Sequence, residues 1–165
     1  MMTTSTDHWL QRWGGAVLAV LICEGVGALA SLATQSSVNT WYPALEKPFF
    51  TPPGWVFAPV WIALYALMGL AAWLVGRRGW ATPGVPTALG FFVLQLALNG
   101  AWSFAFFGAR SPAGGLAVIV VLWFALVTTT KWFFELRRVA GWFLVPYLLW
   151  VSYAAALNSA FWWMN

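Results

Sequence analysis

Apolar residues run almost unbroken through five stretches of this chain, roughly Gly14 to Ala33, Val56 to Gly76, Ala88 to Phe107, Gly114 to Phe134 and Val139 to Trp162. Charged residues gather in the gaps between them. Each stretch meets the requirement of about 20 apolar residues for a helix across a hydrocarbon core of about 30 Å, and that length excludes strands. The pattern therefore predicts an all-α membrane protein, a five-transmembrane-helix bundle. The longest connection, Trp41 to Trp55, is rich in proline and aromatic residues, and the other connections are short. Short connections predict successive helices as antiparallel neighbours within a single domain spanning residues 1–165.

Composition supports the same class. Hydrophobic residues make up 62% of the chain and charged residues 7%, against roughly 45–50% and 25% in an ordinary soluble domain. No water-facing surface can be assembled from so few polar groups. Met1 to Trp13 carries one arginine, and no small-x-small site leads into a polar mature domain, so the first stretch is expected to be a retained helix rather than a cleaved leader. Of the eight basic residues, Arg12, Arg77, Arg78, Lys131, Arg137 and Arg138 fall on one side of the predicted topology, and Lys47 and Arg110 on the other. The positive-inside rule then places the N-terminus inside. In a bacterial plasma membrane this turns the Trp41 to Trp55 loop outward. The arginine pairs sit at membrane edges, where they suit lipid headgroups rather than nucleic acid. A single cysteine, Cys23, permits no intrachain disulfide, and a single histidine, His8, gives no basis for a metal site or haem ligation.

Polar side chains inside a bilayer are costly and face neighbours, cavities or ligands. In the third stretch Gln95, Asn99, Trp102 and Ser103 recur at helical spacing on one face, with Phe106 following. In the fifth, Tyr147, Trp150, Ala154, Leu157 and Asn158 form a second stripe. The second contributes Trp61 and Tyr65, one turn apart. Hydrogen bonding between helices accounts for Gln95 and Asn158 as readily as a pocket does. For Trp61, Asn99, Trp102 and Trp150 the pocket is the better reading, because indoles beside a small residue make a slot for a planar apolar ligand. Trp9, Trp13, Trp73, Trp80, Trp132, Trp142, Trp162 and Trp163 lie at predicted helix ends, as interfacial belts do. Small residues (Gly14, Gly25, Gly27, Ala28 and Ser31, then Gly114, Gly115 and Ala154 to Ala156) are expected at close helix contacts. Glu24, near the middle of the first stretch, would cost about 2.5–3.5 kcal/mol if ionised there. It is either a neutral, hydrogen-bonded packing residue or part of a cavity. With no second acid in the cores, a proton relay is disfavoured.

The Trp41 to Trp55 loop is the most specific segment. Four prolines reduce the entropy of its disordered alternatives, and its aromatics supply apolar area, so it reads as a lid on the bundle mouth. It follows the pattern W-Y-x-x-L-x-K-P-x-W/F-x-P-P-x-W and leads into Pro59-Val60-Trp61-Ile62-Ala63-Leu64-Tyr65. Downstream come Gln95-Leu96-Ala97-Leu98-Asn99-x-x-Trp102, then Phe106-Phe107-Gly108-Ala109-Arg110, and finally Pro146-Tyr147-Leu148-x-Trp150 with Ala154 and Leu157-Asn158. In spacing and order, over about residues 15–160, this chain resembles the TspO/MBR family of tryptophan-rich sensory and translocator proteins.

The resemblance implies a homodimer of five-helix chains that binds protoporphyrin IX-like tetrapyrroles, or other hydrophobic molecules of sterol or benzodiazepine type, under the first loop. It assigns the pocket to Tyr42, Pro52, Trp61, Asn99, Trp102, Ser103, Trp150, Ala154 and Leu157. It also implies light-dependent porphyrin breakdown involving Trp61 and Trp150, with porphyrin as ligand and no separate cofactor or metal. The alternative is a passive transporter of tetrapyrroles or other lipophilic metabolites. The C-terminal Phe161-Trp162-Trp163-Met164-Asn165 lacks the basic residue of the family's sterol motif, which argues against sterol recognition there. Gly100, beside Asn99, predicts a roomier pocket.

Overall fold

The computed structural model describes the backbone of residues 5–165 and the side chains of residues 13–32 and 34–165. The helices are α1 (Ser5–Thr40), α2 (Phe57–Gly76), α3 (Val85–Ser103), α4 (Pro112–Leu136) and α5 (Arg138–Met164), and a π-helical turn, Phe104–Gly108, continues α3. The five apolar spans are Trp13–Leu32, Gly54–Gly76, Val85–Gly108, Pro112–Leu136 and Arg138–Met164. This is the all-α, five-span architecture of an integral multi-pass membrane protein. The side chains of His8, Trp9 and Arg12 lie outside the described residues.

α1 continues past its predicted end at Ala33 because a polar turn can remain helical outside hydrocarbon. The Thr34 hydroxyl donates to the Ala30 carbonyl at 2.9 Å, and the Thr40 hydroxyl to the Ser36 carbonyl at 2.8 Å. α3 opens at Gly84, whose φ of +88° suits glycine, with Pro86 in its first turn. α4 is capped by Ser111, whose Oγ accepts from the Gly114 N–H at 3.0 Å. At its other end the Arg78 guanidinium donates to the Leu136 carbonyl at 2.7 Å, placing a cation where the last carbonyls are unpaired.

Around the bundle α1 packs on α2, α2 on α5, α5 on α4 and α4 on α3, and the ring closes with a thin α3–α1 contact. The expectation that every successive pair would be neighbours fails at α2 and α3, which touch sparsely because α5 stands between α2 and α4. A short connection sets direction but not adjacency, and residues 77–84 suffice to step across. Buried Met68, Val75, Phe92, Leu126, Phe133, Leu144 and Tyr147 form the core, while Leu18, Leu21, Leu29, Ile62, Phe124 and Leu149 are exposed, as a lipid-facing surface requires.

Small residues act at fewer places than the sequence suggested. Gly14 and Gly25 face open space, and Gly114 meets only its own cap, Ser111. Gly27 lies against the Tyr65 ring, and Gly115 is wedged between Phe106 and Asn158. The close backbone-to-backbone crossing is at Gly69, which was not singled out from sequence. A Cβ there would fall 2.5 Å from the Val20 Cα, so α1 and α2 cross backbone to backbone.

Gly69→Val is expected to lower stability by about 1–3 kcal/mol, the cost of overpacking. Gly25→Ala, with nothing near its Cβ, should leave stability unchanged or raised. Unfolding in a detergent–denaturant titration checks both; equal effects would show that the α1–α2 crossing does not depend on Gly69.

Candidate ligand cavity

A cavity of about 530 Å³ lies between α1, α2 and α3, beneath the start of the loop. That volume is within the roughly 300–1,000 Å³ of small-molecule sites. Its walls include Glu24, Gly27, Ala28, Ser31 and Thr34 from α1, Phe57, Trp61 and Tyr65 from α2 and its approach, and Asn99, Trp102 and Ser103 from α3. Tyr42 and Phe107 close the loop end. A second void of about 40 Å³ lies on the other side of Trp61, bordered by Trp150, Ala154, Leu157 and Asn158 of α5.

The predicted pocket residues therefore divide. Tyr42, Trp61 and Trp102 border both spaces, Asn99 and Ser103 only the larger, and Trp150, Ala154 and Leu157 only the smaller. Pro52, half-buried in the loop, borders neither. Trp61 and Trp150, two of the indoles expected to form a slot, instead meet each other edge to face at 6.4 Å and 87°. Trp61 also packs on Tyr65 at 5.5 Å and Tyr147 at 6.2 Å. The open volume is on the α1 side, where Gly27, Ala28 and Ser31 leave room. Their small size was legible in the sequence, but their role as a cavity wall was not, because small residues equally serve packing.

Two amides set the shape of this wall. The Tyr65 hydroxyl donates to the Asn99 Oδ1 at 2.5 Å, and the Asn99 Nδ2 donates to the Tyr147 hydroxyl at 3.0 Å, joining α2, α3 and α5 through buried groups. The Trp102 indole N–H donates to the Asn158 Oδ1 at 3.0 Å, and the Asn158 Nδ2 to the Pro112 carbonyl at 2.7 Å, joining α3, α5 and α4. Asn158 thus takes the interhelical role weighed for it. Gln95 does not: its amide is fully buried, and neither its nitrogen nor its oxygen has a hydrogen-bond partner.

The loop is tied down at several points. The Tyr153 hydroxyl donates to the Phe50 carbonyl at 2.5 Å. Asn165 accepts from the Glu46 N–H at 2.9 Å and donates to the Glu46 carbonyl at 3.2 Å. Tyr42 packs against Phe107 and Phe161, each at 5.6 Å, with the Lys47 ammonium 5.0 Å above its ring. Burial, and after it the nearby Tyr153 phenol, raises the Tyr42 pKa above the ordinary tyrosine range, so the group remains a neutral phenol.

Five membrane-spanning helices, an aromatic-walled cavity between the first three and a tethered loop over it define a class of integral membrane protein. The sequence places the chain within it: residues 19–164 match the TspO/MBR family, and the chain belongs to that family. It is 40% identical over 150 residues to the tryptophan-rich protein TspO of Archaeoglobus fulgidus, covering 90% of this chain and 95% of that one. It is 41% identical over 141 residues to the protein of the same name from Chlorobaculum tepidum, covering 86% and 89% of the two chains. Over 123 residues it is 38% identical to the human translocator protein, covering 74% of this chain and 73% of the human one.

Asn99→Leu strands two buried phenols and is expected to lower stability by about 1–3 kcal/mol. Gln95→Leu removes an unpaired buried amide and should be neutral or stabilising. Unfolding midpoints of the two variants check this; a loss at Gln95 as large as at Asn99 would contradict it.

Proposed function

We propose that the protein is a membrane receptor or sensor that holds protoporphyrin IX-like tetrapyrroles, and related hydrophobic molecules, in the larger cavity. The observation that carries this reading is the cavity itself: drug-sized space walled by Trp61 and Trp102, with one amide, Asn99, already fixed. Flat aromatic walls favour a planar apolar ligand, each aromatic pair adding about 0.5–1.5 kcal/mol beyond area burial. The tethers at Phe50 and Glu46 support a roof that excludes water once the site is filled.

Light-dependent breakdown of the bound porphyrin belongs to the same proposal. An indole against a photoexcited macrocycle is an oxidisable partner. Trp61 stands at the cavity wall with Trp150 edge-on behind it, a second indole in contact with the first. A regulatory role in tetrapyrrole metabolism and a homodimeric state are proposed on the strength of the family resemblance, and the membrane proposed is a bacterial one. The N-terminus-inside orientation is supported by the positions of Arg77, Arg78, Arg137 and Arg138 at one end of the bundle and Lys47 and Arg110 at the other.

Titration of the purified protein with protoporphyrin IX in the dark, followed through tryptophan fluorescence, should show saturable quenching in the micromolar range. Trp61→Ala is expected to weaken binding roughly tenfold, about 1.4 kcal/mol, and Trp150→Ala much less, because Trp150 lies behind Trp61. Under light, the Trp61→Phe/Trp150→Phe double variant should lose porphyrin bleaching while retaining its fold. Absence of saturable quenching would remove the tetrapyrrole reading, and undiminished bleaching in the double variant would remove the photochemical one.

A further inference from the structure

The exposed members of the cavity wall point to a side opening. Ala28, Ser31 and Val38 of α1 and Ala58 and Ile62 of α2 are exposed although they line the cavity, whereas the α3 members are buried or half-buried. The opening therefore lies between α1 and α2. Ala28 and Ser31 belong to the apolar span Trp13–Leu32, and Ala58 and Ile62 to Gly54–Gly76, so the opening meets the bilayer core. Below it the helices converge to the backbone contact of Gly69 with Val20, which closes the gap.

Glu24 stands at the converging end of this opening, one turn from Ala28 on the same face of α1, and lines the cavity while remaining partly exposed. Of the other polar groups lining the cavity, Tyr65 and Asn99 bond each other and the Thr34 hydroxyl bonds the Ala30 carbonyl, while Ser31 and Ser103 present neutral hydroxyls. Among the described residues lining the cavity there is no lysine or arginine to face the Glu24 carboxyl. A carboxyl at membrane depth is costly to retain without a partner; it accepts a hydrogen bond whether protonated or ionised, and when a cationic donor holds it ionised it gains a charge term and repels a carboxylate.

We propose that ligands reach the cavity from the lipid through the α1–α2 opening, and that Glu24 selects those presenting an N–H or ammonium donor at that depth while disfavouring carboxylates. This rests on the larger cavity being the binding site and deepens the proposed function. It predicts that a bound tetrapyrrole turns its pyrrole N–H groups, and not its carboxylate arms, toward α1.

The test uses three lipid-soluble planar probes, 1-pyrenemethylamine, 1-pyrenemethanol and 1-pyrenecarboxylic acid. Energy transfer from tryptophan to pyrene is read with the full chain in phosphatidylcholine nanodiscs, with empty discs subtracted for partitioning. The wild type should hold the amine about tenfold more tightly than the acid, the effect of one charge-assisted hydrogen bond. Glu24→Gln should bring the two within about threefold of each other, chiefly by weakening the amine, and Glu24→Asp should keep the wild-type order. Ala28→Trp, which narrows the opening, should slow association of all three probes while preserving their ranking.

An amine-to-acid ratio unchanged by Glu24→Gln overturns the selectivity, and an association rate unchanged by Ala28→Trp overturns the route. Absence of saturable transfer from every probe, in protein that binds protoporphyrin IX, overturns both while leaving the proposed function standing. Glu24-dependent binding of the amine in protein that ignores protoporphyrin IX supports the inference and removes the tetrapyrrole.

Discussion

Lipid gives these helices no hydrophobic reason to associate, since acyl chains are as apolar as leucine. The bundle depends instead on contacts that lipid cannot supply. The chain from the Tyr65 hydroxyl through the Asn99 amide to the Tyr147 hydroxyl is the central one, because it joins three helices, α2, α3 and α5, at one buried point. Each bond contributes on the order of 0.6–2 kcal/mol in a membrane bundle, and leaving any of these groups unpaired in hydrocarbon would cost more. Asn158 does the same for α3, α4 and α5, and Gly115 lets that junction close. Gly69 supplies the corresponding close approach between α1 and α2.

The cavity is a consequence of where these ties lie. α2, α3 and α5 are drawn together at Asn99, α3, α4 and α5 at Asn158, and the void on the α5 side of Trp61 shrinks to about 40 Å³. α1 is held most tightly at its crossing with α2 and meets α3 and the π-helical turn through a smaller contact. Its small residues Gly27, Ala28 and Ser31 leave the remaining volume open on that side. Trp61 thus serves both as core, against Tyr147 and Trp150, and as the wall that a ligand would meet. The loop adds a roof held by the Tyr153 hydroxyl, the Asn165 amide and the packing of Tyr42 on Phe107 and Phe161.

Much of this was legible in the sequence, for different reasons at different places. The five spans follow from hydropathy and bilayer thickness alone. The inward faces of α3 and α5 were legible because Asn99, Trp102, Tyr147 and Asn158 are polar groups that hydrocarbon penalises, and helical spacing aligns them. The continuation of α1 to Thr40 was hidden because hydropathy measures the membrane and not the helix. The order of helices around the bundle was hidden because short connections fix direction without fixing neighbours. Gly69 is one glycine in an apolar run, and nothing local marks it as a crossing point. The division of the pocket residues between two spaces depends on the Trp61 rotamer and on α1, neither of which spacing can reveal. Gln95 shares a helical face with Asn99, but it has no hydrogen-bond partner and no place in the cavity wall, which spacing alone does not reveal.

The central claim is that the open space between α1 and Trp61 is where the ligand sits. A structure of the protein with a bound tetrapyrrole tests it most directly. Ligand density is expected between the α1 face of Gly27, Ala28 and Ser31 and the Trp61 indole, beneath Tyr42. Density lodged between Trp61 and Trp150, or on the outer surface of the bundle with this space empty, would contradict it.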